Sequence, residues 1–159
     1  MLKQLVPEDF CLKCRGCCRF KEPDSIWSPT LLYEEIKVIP TFTISSSKKI
    51  RLAPSAEKLN NFICPFLNFE GNLCNIYANR PFECQLYPFL INRERDKAFL
   101  ALDLNCPFIK ENLDSPTFKE YSRGLAKLFN SPQCKKLFKD NPQIIQAYPE
   151  AINLAEIII

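Results

Sequence analysis

Histidine is missing altogether from the 159 residues. Its absence excludes Ser-His-Asp and Cys-His catalysis, Cys-His zinc fingers and the iron site built from two histidines and a carboxylate. Any metal has to be held by sulfur, oxygen or both. Glycine is almost as scarce, with Gly16, Gly71 and Gly124 the whole complement, so no glycine-rich loop is present to cradle a nucleotide or S-adenosylmethionine. No apolar run approaches the span of a membrane helix. Met1 to Asp9 has neither the apolar core nor the small-residue cleavage site of a signal peptide. A cytoplasmic, reducing setting with no membrane partner is the expectation. A net charge of +3 is no nucleic-acid footprint. Four thiolates around a divalent ion would contribute roughly −2 and leave roughly +1.

What the chain has instead is nine cysteines in a sequence that is 47% hydrophobic. A chain of this size buries a core without staples and is expected to form one domain, 1–159. Disulfides are disfavoured by the odd count and the missing export signal, so the thiols read as metal ligands or redox groups. Four of them fall in one short stretch, Cys11-x-x-Cys14-x-x-Cys17-Cys18. The x-x spacing is that of the first three ligands of bacterial-type iron–sulfur clusters, although the Cys-Pro pairs, Cys64-Pro65 and Cys106-Pro107, are remote here. Adjacent residues of an extended backbone point to opposite sides. On that geometry Cys18 serves a second centre, reaches a different iron of a polynuclear cluster, or is not a ligand. Cys64, Cys74, Cys84 and Cys106 bring the candidate ligands to eight, two sets of four. Cys134, beside Lys135 and Lys136 in an amphipathic segment, reads as an ordinary thiol.

Local signals predict an α+β fold. Ser28-Pro29 reads as a helix start, with the helix running to about Val38 and ended by Pro40. Residues 41–53 read as a hairpin about Ser45-Ser46-Ser47-Lys48, with Lys48, Lys49 and Arg51 on a solvated edge. Phe62 to Leu67 and Leu73 to Tyr77 read as the arms of a hairpin about Glu70-Gly71-Asn72, with Cys64 and Cys74 on opposite arms. Arg80-Pro81 opens a helical turn carrying Cys84 and ended by Tyr87-Pro88. A second hairpin, Phe89 to Asn92 and Ala98 to Leu104, turns at residues 93–97 and delivers Cys106. The expected helical third, about 115–159, follows from three starts of one kind, Ser115-Pro116, Ser131-Pro132 and Asn141-Pro142, with a fourth segment from Pro149. Ile157-Ile158-Ile159 either docks on the core or stays exposed to bind a protein partner.

The compound motif Cys11-x-x-Cys14-x-x-Cys17-Cys18, Cys64-Pro65, Cys74-Asn75-Ile76-Tyr77-x-x-Arg80-Pro81-x-x-Cys84-x-x-Tyr87-Pro88 resembles the CxxCxxCC cysteine-cluster family of zinc- or iron-chelating domains. The resemblance covers about 10–108. It extends to the related flagellin lysine N-methylases, and through them implies an iron–sulfur centre and S-adenosylmethionine. Gln85 stands where that family often has a basic residue.

Read from its own chemistry, Arg80 either donates to thiolate sulfur and offsets the charge of a cluster, or pairs with Glu83 or caps a carbonyl at a helix start. Tyr77 reads as core packing. Three functions stay in play on these residues. One is an iron–sulfur protein, with 4Fe–4S the favoured cluster and any reaction unspecified. The second is a zinc-binding structural or interaction module, and the third is a metal-handling protein with labile thiols.

Overall fold

Prolines and turn residues chop the first half of the chain into short pieces, whereas the second half carries longer strands and helices. The computed structural model describes residues 4–14, 16–56 and 61–159, with only the backbone of Leu12. It is a mixed α+β structure with three small antiparallel sheets. The chain divides into two compact units, Val6–Gln85 and Leu86–Ile159, the latter together with Gln4 and Leu5.

In the first unit, helix α1 spans Glu8–Cys14, with Glu8 and Asp9 in the first turn and Lys13 in the last, the charge order that suits the helix dipole. A turn follows in which the Arg19 N–H donates to the Gly16 carbonyl at 3.2 Å. Strand β1, Arg19–Phe20, leaves that turn. The next helix, α2, is only Tyr33–Ile36. This corrects the helix expected from Ser28. The Ser28 hydroxyl is spent across the chain on the Ile50 carbonyl at 2.5 Å, and Thr30 bridges Lys49 in extended backbone. The real start is fixed by Glu35, whose Oε2 accepts from the Leu32 N–H at 2.8 Å.

The turn at residues 45–48 forms as expected, with Lys48 in the left-handed region at φ 61. It is closed by a single bridge, Ile44 to Ile50, with Thr41–Thr43 a 3-10 turn in place of a strand. Of the cations there, Arg51 is exposed as expected, whereas Lys48 and Lys49 are half-buried. Lys49 Nζ donates to the carbonyls of Ile26 (2.7 Å) and Ser28 (3.2 Å), and Lys48 Nζ lies 4.4 Å from the centre of the Tyr33 ring.

Strands β2, Ala53–Pro54, and β3, Phe62–Ile63, complete a sheet of order β1-β3-β2. The expected strand from Phe62 to Leu67 is broken at Cys64-Pro65, where proline has no N–H to give the ladder. Strand β4, Leu67–Asn68, pairs instead with β5, Leu73–Cys74. Cys64 therefore lies in the bend before that hairpin and not on one of its arms. Helix α3, Phe82–Leu86, carries Cys84 as expected, and its first N–H, that of Phe82, is capped by Glu35 Oε1 at 2.6 Å. The core of this unit is Phe20, Leu31, Ile39, Ile50, Leu52 and the thiol of Cys64, with Cys18 and Trp27 packed against it.

The second unit is built on β6, Phe89–Glu94, and β7, Lys97–Leu102. Their turn is tighter than the sequence suggested, two residues with Arg95 at φ 56. Helix α4, Pro107–Asn112, then α5, Pro116–Phe129, and α6, Pro132–Asp140, follow. Ser115 and Ser131 cap α5 and α6 as expected, accepting from the N–H groups of Phe118 (3.1 Å) and Cys134 (3.4 Å). The segment after Pro149 is not helical. Residues Ile152–Ile157 form β8, which pairs antiparallel with β7 and gives the order β6-β7-β8. Tyr148 before Pro149 is no capping residue, and β7 offered an open ladder. Ile157 docks, while Ile158 and Ile159 face solvent. Phe89 stacks with Phe118 at 5.9 Å, and Phe129 meets Phe138 edge-on at 5.3 Å, filling the space between sheet and helices.

Candidate metal centre

The turn at residues 16–19 decides how the vicinal cysteines point. Cys17 and Cys18 occupy its two central positions, so they escape the alternation of an extended strand, and their thiols come within hydrogen-bonding reach of one another. The Cys18 S–H donates to Cys17, which corrects the expectation of opposed side chains. That hydrogen bond is the main reason the Cys17 thiol falls from 9.0 to about 7; burial opposes it, and its own backbone N–H, Arg80 and Arg19 assist. Cys17 keeps an exposed surface even so. Cys18, as the donor, is pushed far up, with burial and the charges of Cys17, Cys64 and Cys84 adding to the effect.

The antiparallel register carries this turn to a third thiol. Arg19 opposes Ile63, and one step on the Cys64 N–H donates to the Cys18 carbonyl at 3.0 Å. Burial pushes Cys64 up to about 11, against an N–H donated by Phe66, and the charges of Cys74 and Cys17 raise it further. Cys74 closes the β4–β5 hairpin opposite Leu67. Its thiol is raised by burial and by Cys17, and lowered by the Ile76 N–H and the Arg80 guanidinium. Cys84 is raised well above the ordinary value, first by burial and then by Cys64, Cys17, Glu83 and Cys74.

Cys17 is thus the common neighbour. Its charge is felt by Cys18, Cys64, Cys74 and Cys84, thiols delivered by a turn, a proline bend, a hairpin and a helix. Of the eight candidate ligands the structure brings these five into one electrostatic field. Cys11 and Cys14 stand three apart on α1, hence on one helix face, and a Cβ added at Gly16 would lie 3.3 Å from the Cys14 Sγ. Cys106 lies in the second unit, buried at the N-cap position of α4. Cys134 sits half-buried in α6.

Arg80 stands with its guanidinium carbon 3.9 Å from the centre of the Tyr77 ring, a cation–π contact that fixes its direction. From there it stabilises the thiolate forms of Cys17 and Cys74. Glu83 Oε2 accepts from the Thr30 N–H at 2.6 Å. Gln85 turns back to the Arg80 carbonyl at 2.8 Å. Tyr77 is therefore the platform for Arg80. Sequence reasoning missed Arg19 and Asn72, whose side chains meet at 2.9 Å. The available signals were a cation directly after Cys18 and a Gly-Asn turn directly before Leu73-Cys74.

The donor set fits a thiophilic metal: all sulfur, no imidazole, with two guanidinium groups to offset the negative charge of bound thiolates. Among the described residues, no group of three or more cysteine, aspartate or glutamate side chains is placed to hold a metal ion. Among those residues, too, no helix is long and apolar enough to cross a membrane. No curated protein and no solved structure matches the chain. A family model does match, over residues 10–107, under the description "Putative zinc- or iron-chelating domain". That span holds the turn, the bend, the hairpin and the helix that present the five thiols, and by it the chain belongs to the CxxCxxCC family.

Proposed function

We propose that this is a metal-binding protein whose centre is an iron–sulfur cluster ligated by Cys17, Cys64, Cys74 and Cys84. The observation that carries the reading is the shared position of Cys17, in electrostatic reach of its neighbour Cys18 and of thiols from three other segments. In this reading Cys18 donates its S–H to the ligating sulfur of Cys17, the kind of hydrogen bond that tunes a cluster. Arg80 offsets charge beside Cys17 and Cys74. Cys11 and Cys14, on one face of α1, form a pair able to take a second ion, and Cys106, in the second unit, is the eighth candidate drawn from the sequence. When bound, a cluster supplies one-electron transfer.

A second reading, a structural zinc site with the same four ligands, is favoured by one observation: Cys64 is itself part of the hydrophobic core. Closed four-sulfur zinc sites stabilise folds and leave no open position for chemistry.

Purification without oxygen, followed by iron, sulfide and zinc analysis, separates the two. Brown protein with stoichiometric iron and labile sulfide is the expected result. Colourless protein with stoichiometric zinc and no iron overturns the cluster in favour of the structural site. Cys64→Ser and Cys74→Ser are expected to lose the metal; retention in both overturns the ligand set. Cys106→Ser, read by the same analysis, decides the place of that residue.

A further inference from the structure

Arg19 and Asn72 join two loops that lie far apart in the chain. Arg19 closes the turn that presents Cys17 and Cys18, through its own N–H to the Gly16 carbonyl. Asn72 is buried in the β4–β5 turn, two residues before Cys74, with its backbone in the left-handed region at φ 51. Arg19 Nη1 donates to Asn72 Oδ1 at 2.9 Å, across 53 residues. The bond ties the Cys17–Cys18 turn to the Cys74 hairpin. The Cys64 N–H to the Cys18 carbonyl ties the same turn to the proline bend.

Two physical effects follow from this placement. Loops held together before a ligand arrives have less ordering entropy to lose when it binds. Four thiolates on a divalent ion carry a net charge of about −2, and a guanidinium fixed beside them offsets part of it.

We propose that Arg19, held by Asn72, is a positioning residue for the thiolate centre: it latches the Cys17–Cys18 turn to the Cys74 hairpin and offsets the charge of the bound centre. The proposal rests on the reading of these cysteines as metal ligands, whichever metal they take.

The test uses the full chain, stripped of metal under reducing conditions, titrated with Co²⁺ and then competed with Zn²⁺. Sulfur-to-cobalt charge-transfer absorption reports thiolate coordination directly. Arg19→Gln is expected to weaken Zn²⁺ binding on the order of tenfold, the usual size of an outer-shell loss, with the number of ions bound unchanged. Arg19→Lys keeps the charge and is expected to recover most of that loss. Asn72→Gly keeps the left-handed backbone but removes Oδ1, and is expected to fall between the two. Higher ionic strength should narrow the gap between wild type and Arg19→Gln.

Arg19→Gln with wild-type affinity overturns the proposal, as does Arg19→Lys binding no better than Arg19→Gln. Should Arg19→Gln fail to fold, Asn72→Gly decides, and wild-type affinity in that variant overturns the latch. A wild-type chain that takes up neither ion overturns the metal reading and the proposal with it. Wild-type binding with unaffected variants overturns the proposal alone.

Discussion

Replacing Cys18 by alanine removes the S–H that Cys17 accepts, the largest influence on the Cys17 thiol. In the metal-free chain Cys17 ionises at about 7 against an ordinary 9.0. At neutral pH its thiolate fraction is then about one half, and at the ordinary value it would be about one hundredth. Full reversal would be about fiftyfold in reactive thiolate. Cys17 is exposed, so solvent screens part of the effect, and Arg80, Arg19 and the backbone N–H remain in Cys18→Ala. About tenfold slower alkylation is the expected outcome. The assay is iodoacetamide labelling of metal-stripped protein across pH, with the modified cysteine identified by peptide mass. Cys18→Ser, which keeps a hydroxyl donor, should retain most of the wild-type rate. The sign in the stability balance is equally definite. A folded-state value below the ordinary one means that the Cys17 thiolate favours the folded state fully above 9.0, and that this contribution is lost as pH falls through about 7. Unchanged labelling of Cys17 in Cys18→Ala would refute the shared hydrogen bond and the picture of a turn that faces the two sulfurs together.

Three further outcomes test other parts of the structure. Ser115→Ala removes the N-cap of α5 and should cost about 1 kcal/mol, read as a lowered melting temperature. Leu100→Ala empties a fully buried position at the centre of the β6-β7-β8 sheet and should cost about 2–5 kcal/mol in a urea titration. Burial raises the carboxyl of Glu35 above 4.5, opposed by the N–H groups of Leu32 and Phe82. The stability from this shift is complete below 4.5 and is lost as pH rises through the raised value. Urea midpoints should therefore show Glu35→Gln gaining relative to wild type from about pH 4 to about pH 7.

Legibility in the sequence tracked how local each signal was. Ser115-Pro116 and Ser131-Pro132 start helices because cap and proline act within one turn, and the β6–β7 hairpin was readable from two apolar runs about a charged turn. Ser28-Pro29 carries the same signal as Ser115-Pro116 and failed, because the Ser28 hydroxyl had a distant carbonyl, that of Ile50, to bond. Residues Ile152–Ile157 became a strand because the open edge of β7 was there to receive them. Cys64, Cys74 and Cys84 were readable as candidate ligands from the cysteine count, and the helical turn carrying Cys84 from the Arg80-Pro81 start. The facing of Cys17 and Cys18 was not, since it depends on a turn closed by Arg19 and Gly16. The Arg19–Asn72 bond lay beyond any local pattern.

Every named strand in residues 6–85 is two residues long, whereas β6, β7 and β8 each run for six. A two-residue ladder protects very few amides, so the cysteine-bearing unit should exchange its hydrogens through frequent local opening while the longer sheet exchanges slowly. A metal present at a thousand times its dissociation constant adds about 4 kcal/mol against any opening that releases it. Loading should therefore slow exchange in the first unit alone, making the protection gap between the two units a gauge of occupancy that needs no colour and no activity.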